Sequence, residues 1–183
     1  MEADRKYHYP GQNDDEVVKR IAYRHWAYLL PAFGLAITML AVVAFLVVYT
    51  WTASTSSGEM KINLTMIAIF LMLFTVGFML ASIWIWHNNK IIITNQNLVE
   101  VEQKSLFNKS ISTLRLVNIQ DVSADVSGPF QSALGYGTVT VQSAGEKRNF
   151  IFQYVPQAYE LKDYISDLHL YAATDQGDKL IDR

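Results

Sequence analysis

Two long stretches without a charged residue decide what this chain can fold into. Trp26 to Trp51 is 26 residues and Ile62 to Trp86 is 25 residues, and neither holds Asp, Glu, Lys, Arg or His. A helix that crosses about 30 Å of hydrocarbon needs about 20 mainly apolar residues. Each run therefore predicts a transmembrane helix with length to spare for tilt. No charge or strong polar stripe interrupts either run, which argues against a pair of core helices in a soluble protein. A cleaved signal peptide has an apolar core of only about 7–15 residues close to the N-terminus, and the first run is longer and starts later. All 15 Lys/Arg and 17 Asp/Glu lie outside the two runs, so the remainder has the charge density of an ordinary globular domain.

The spans are expected at about 26–51 and 62–86, joined by the short loop Thr52 to Lys61 as an antiparallel hairpin. Trp26, Tyr28, Tyr49, Trp51, Trp84 and Trp86 sit at the span ends, where aromatic rings favour the interface. Lys19, Arg20 and Arg24 precede the first span and Lys90 follows the second. The loop carries only Lys61, beside Glu59. The positive-inside rule then places both termini in the cytoplasm of a multi-pass protein of the plasma (inner) membrane. Neither span holds an ionisable group of the kind that ion and proton pathways use. Asn63, Thr65, Thr75 and Ser82 are assigned to helix–helix packing, and Pro31 to a kink near the headgroups.

Residues 1–25 read as a polar segment followed by a helix that enters the first span. Asn13 or Asp14 caps it, Asp14, Asp15 and Glu16 fill its first turn, and Val17, Val18, Ile21 and Ala22 give an apolar stripe. His25 and His87 flank the spans and are read as interfacial histidines. The chain has no cysteine, which excludes disulfides and cysteine-based metal or nucleophile sites. Its net charge of −2 argues against nucleic acid as a partner.

Residues 87–172 change to a period of two, the signature of strands. Strands are expected at 91–94, from 98 to about 102, at 107–116, at 119–126 with an interruption at Asp121, at 138–143 and at 150–155. Glu100 and Glu102 share one strand face beside Lys104 and read as solvated. Ser127-Gly128-Pro129 breaks the chain, and Ala144-Gly145-Glu146 makes a hairpin turn. Pro156 suits a helix start, with Tyr159, Leu161, Tyr164, Ile165 and Leu168 at helical spacing. Strands followed by one helix, without βαβ alternation, predict an antiparallel β-barrel or sandwich of six or seven strands closed by a C-terminal helix. Residues 173–183 are expected to be a flexible tail.

Several segments together resemble the membrane-anchored bacterial PH-domain family of the YdbS-like type. They are 91–98, with Thr94 and Asn95, 116–122, with Ile119 and Asp121, and 135–141, with Gly135, Tyr136 and Gly137. Ser143-Ala144-Gly145, Pro10-Gly11-Gln12, Asp15-Glu16 and Arg24-His25-Trp26 complete the pattern, whereas Gln96 stands where members often carry Arg. The resemblance implies a PH-like fold, no catalytic activity and no cofactor, and it links some members to envelope stress or antimicrobial resistance.

Catalytic chemistry finds no motif. The four histidines lack metal-ligand spacing, and there is no phosphate loop or nucleophile elbow. Gly135-Tyr136-Gly137 falls after the second span, which excludes a channel filter between spans and leaves a bulge or close backbone approach. Lys104, Lys109, Arg115, Lys147 and Arg148 are the candidate lipid-facing cations. The sequence thus predicts an anchored, non-catalytic scaffold or interaction module. It would bind a protein partner or its own copies at a sheet edge or at the groove between sheet and helix. The alternatives are an anionic-lipid-binding protein and an accessory subunit of a transporter.

Overall fold

The computed structural model describes Tyr9 and residues 11–13, 15–52, 57–144 and 149–181, with side chains described as far as Thr174. The chain forms two compact units, Tyr28–Trp86 and the combination of Met1–Ala27 with His87–Arg183.

The first unit is a pair of helices. A 3-10 turn at Trp26–Leu29 leads into α1, Leu30–Thr52, and α2 spans Gly58–Asn88. Pro31 lies in the opening turn of α1, where its missing N–H leaves no helical bond unmade. The proline thus lies where the 3-10 turn passes into α1. Ala36, Thr50, Ala68 and Thr75 are the buried residues of the pair, small enough to let helices approach closely. The Thr75 hydroxyl lies 3.6 Å from Met39 Sδ and donates to the Leu71 carbonyl at 2.8 Å. Thr65 and Ser82 donate instead to carbonyls of their own helix, those of Lys61 and Phe78. Of the four polar residues assigned to packing, Thr75 alone is buried. Only 6% and 11% of the most apolar windows of the two helices are covered by protein, so both present apolar side chains almost all round.

The second unit holds two antiparallel sheets. The first has the order β1 (Val18–Tyr23), β2 (Lys90–Thr94), β3 (Asn97–Ser105) and β4 (Asn108–Arg115). The second has the order β5 (Ile119–Asp125), β6 (Tyr136–Ser143) and β7 (Phe150–Pro156). A short helix α3, Pro129–Leu134, precedes β6, and α4, Ala158–Ile181, follows β7. Among the described residues these make seven strands in two sheets and a C-terminal helix, the arrangement that the resemblance implies.

Strand β1 corrects the sequence reading, which expected a helix there. Tyr23 pairs with Lys90, Ile21 with Ile92 and Val18 with Thr94, with a bulge between Val18 and Arg20. The stripe Val17, Val18, Ile21 and Ala22 fits a helical period, but β-branched residues also fit a half-buried sheet surface, and tertiary pairing overrides a weak local preference. The two apolar helices are consequently an insertion in the connection between β1 and β2.

Burial on both sides explains the unbroken Ile91-Ile92-Ile93 run. Ile91 and Ile93 join Leu98, Leu114, Val139, Val141, Phe152, Leu161 and Ile165 in the main core. Ile92 packs on the opposite face with Tyr9, Val18, Val99 and Val101. Leu161 and Ile165 of α4 fill the core as their spacing predicts, but Tyr159 is exposed. Pro156 closes β7 instead of opening α4, because Gln157 adopts a left-handed φ of 51° and turns the chain first. The expected tail at 173–183 is helical to Ile181.

Candidate functional surface

Glu16 is 4% exposed and collects donors from both parts of the split unit. Its carboxylate accepts from the Tyr9 hydroxyl at 2.7 Å, Thr94 Oγ1 at 2.5 Å, Asn97 Nδ2 at 2.9 Å and the Asn13 amide at 3.3 Å. Burial by itself would raise the Glu16 carboxyl, but these bonds outweigh it and hold the group below its ordinary value. Burial, then the hydrogen bond and charge of Glu16, push the Tyr9 phenol well above its ordinary value. Beside this network Asn95 Oδ1 accepts from the Val17 amide at 2.8 Å, and the Asn95 amide donates to the Val17 carbonyl at 3.1 Å. A carboxylate this saturated with donors is a clasp, not an acid–base catalyst. The sequence reading placed Glu16 in a helical first turn and missed it. The signal available was an acid two residues from Val18 in a segment with no helix partner.

A second tie lies at the end of β1. The His25 amide donates to the Tyr154 carbonyl at 2.6 Å. The His25 ring stacks on Tyr136 at 5.1 Å, and Tyr136 stacks on Tyr154 at 5.4 Å. Burial lowers the His25 imidazole below its ordinary value, and Nδ1 accepts from the Ala27 amide at 3.2 Å. Tyr154 holds a left-handed φ of 58°, unusual for a bulky residue. It sits in a bulge, since Gly137 pairs with Val155 and Val139 with Phe152. His25, read from the sequence as interfacial, thus also packs in a ring stack within the sheet unit.

Gly137 makes the close approach that the sequence suggested, whereas Gly135 serves instead as a helix cap. Gly135 caps α3 with φ 69°. At Gly137 a Cβ would meet the Asp125 carbonyl at 2.5 Å and Ala158 Cβ at 2.9 Å. The interruption expected at Asp121 is not a break: β5 runs through it, with a register shift between Ile119 and Asp121.

Glu100 is not the solvated acid expected. It pairs with Ile91, so it lies on the face of the main core, at its rim. A shallow cleft there is lined by Arg24, Lys90, Glu100, Phe152 and Val155 among others. Burial first, and then the neighbouring Glu102 carboxylate, raise the Glu100 carboxyl, with Arg24 and Lys104 opposing. Glu102 itself pairs with Lys104 at 3.5 Å.

The proposed cations do not form one cluster. Lys104 and Lys109 flank the tip between β3 and β4, whereas Arg115 pairs opposite Asn97 at the other end of β4. Six residues of strand, about 20 Å, separate Lys109 from Arg115. Lys147, Arg148 and the expected turn at Gly145 lie outside the described residues. Trp26, Tyr49, Trp51 and Trp84 are exposed, and Tyr28 and Trp86 are half-buried. Among the described residues no group of three or more His, Asp or Glu side chains is placed to hold a metal ion.

The sequence profile of the bacterial PH domain matches residues 26–169. The chain belongs to that bacterial PH-domain family. Among solved structures it is similar to a DUF1696-family protein with a pleckstrin-homology domain from Shewanella loihica PV-4. That similarity has 12% identity and a TM-score of 0.37, and covers 44% of this chain and 70% of the other. No curated protein matches the chain.

Proposed function

We propose that this is a two-span protein of the bacterial inner membrane whose PH domain, formed on both sides of the helical hairpin, serves in the cytoplasm as a non-catalytic interaction module. The observation that carries this reading is the insertion of two almost uncovered apolar helices between β1 and β2. A bilayer is the solvent that such helices need, and the sheet cannot form without bringing the two helix ends together. Lys19, Arg20, Arg24 and Lys90 lie on the sheet side, which supports cytoplasmic termini. Family membership supports an interaction role without a cofactor.

The binding surface we assign is the outer edge of β4. Among the described residues β4 pairs only with β3, and an open edge takes an extended segment of a protein partner or of a second copy. Between α4 and the sheets, Leu161 and Ile165 are packed in the main core, which favours the edge. A photocrosslinker at exposed Thr113 in native membranes should capture a defined protein or a second copy, while one at Asp167 on α4 should not. Recovery of lipid alone from Thr113 would contradict the assignment.

A further inference from the structure

The turn between β3 and β4 is built from two large apolar residues. Ser105 pairs with Asn108, leaving Leu106 and Phe107 as a two-residue loop. Neither residue takes a positive φ, so the turn accepts most residue types and its geometry does not itself call for two large apolar ones. Phe107 is 98% exposed and Leu106 48%. The tip is nevertheless held in place. Gln103 Nε2 donates to the Ser105 carbonyl at 2.7 Å and to the Leu106 carbonyl at 3.4 Å. Gln103 is fixed in turn by Asn89, which accepts from its amide at 3.0 Å and donates to its carbonyl at 3.2 Å.

Asn89 is the first residue after α2, and its position orients the tip. Lys90 pairs with both Tyr23 and Val101. The end of the sheet where the chain leaves β1 and the end where it enters β2 are therefore the same end. Strand β3 runs on past Val101 at that end for four residues, about 13 Å, to the Leu106–Phe107 tip. Arg24, Lys90, Lys104 and Lys109 lie at this end, against Glu100 and Glu102.

We propose that Leu106 and Phe107 insert into the anionic leaflet next to the helical hairpin, with Lys104 and Lys109 at the headgroups. An apolar tip flanked by lysines matches the chemistry of an acidic lipid surface. The tip would give the domain a third contact with the bilayer, beside its two covalent links, and fix its orientation there. The inference rests on the reading that α1 and α2 span the membrane.

The absence of native cysteine makes the test direct. Full-length Phe107→Cys, Gln96→Cys and Phe70→Cys variants, each carrying an environment-sensitive nitrobenzoxadiazole label, are reconstituted in phosphatidylethanolamine/phosphatidylglycerol vesicles. Gln96 is exposed at the opposite end of the sheet, and Phe70 is exposed on α2. The label at 107 should show blue-shifted emission and quenching by lipid-borne nitroxide, and the label at 96 should be quenched by aqueous iodide. Lys104→Glu with Lys109→Glu should reduce the shift at 107. Iodide quenching at both 107 and 96, with the label at 70 still quenched from the lipid, would overturn the tip proposal and leave the spans standing. Iodide quenching at 70 would overturn the spans and the tip proposal with them.

Discussion

Thr94 donates a 2.5 Å hydrogen bond to the carboxylate of Glu16 across 78 residues of chain. Between these two residues lie both apolar helices. The bond fixes the segment before the first helix to the turn that follows β2, and with Asn97 and Tyr9 it fills the carboxylate's acceptor sites. Removing the acceptor leaves several buried donors without a partner. Glu16→Ala should therefore cost about 3 kcal/mol, the scale of a broken buried network to a charged group. A thermal or denaturant melt of the purified protein checks it, and an unchanged midpoint would show that the clasp is idle.

The same carboxylate gives a pH dependence. Its folded value lies below the ordinary 4.5, so the unfolded state takes up protons first as pH falls. The stabilisation is fully present above about 4.5 and is lost below it, as pH falls through the folded value. Glu100 has the opposite sign, because its folded value is raised above 4.5. Its ionisation disfavours the folded state as pH rises through that value. Glu100→Gln should raise the melting midpoint at pH 7 and lose that advantage below about pH 4.5. Melts across pH 3–8 on the two variants should show opposite trends.

The paired glycines separate two reasons for needing no side chain. Gly137→Ala forces a Cβ into the Asp125 carbonyl and Ala158, backbone and core atoms that cannot swing away, and should cost about 3 kcal/mol. Gly135→Ala meets nothing within 4 Å, and only its left-handed φ of 69° is unfavourable, about 1 kcal/mol. Comparable losses in denaturant titrations of the two variants would contradict this division.

Gln157 is exposed and holds a left-handed φ of 51°. Gln157→Gly should relieve about 1 kcal/mol of that strain, minus the entropy gained by the unfolded chain. The net effect expected is a small rise or no change in melting midpoint, and a clear loss would mean that the Gln157 side chain holds the turn.

Much of this architecture was legible in the residues. The apolar runs, the strands from 91 to 155 and the close approach at Gly137 all carry strong local signals. What stayed hidden depends on contacts across the helical insertion. Val18, Ile21 and Ala22 fit a helix or a strand equally well until Ile92 is beside them. Glu16 resembles a helix-capping acid until Thr94 and Asn97 donate to it. Period two placed Glu100 and Glu102 on one face correctly, but only the second sheet reveals that this face is the rim of the core. Of the candidate cations, Lys104 and Lys109 come together and Arg115 does not, because spacing along the sequence says nothing of which end of a hairpin a residue occupies.

The fold depends above all on a sheet whose first strand comes from before the helices and whose second comes from after them. Tyr23 and Lys90 are paired neighbours, so a short Gly/Ser linker can replace residues 28–86. We would compare residues 1–27 joined in this way to 87–183 with residues 87–183 alone, by amide NMR spectra and thermal melting. The joined chain should give a dispersed spectrum and a cooperative melt, and the shorter one, without β1 and Glu16, should give neither. Equal dispersion and equal melting midpoints for both would contradict the split domain.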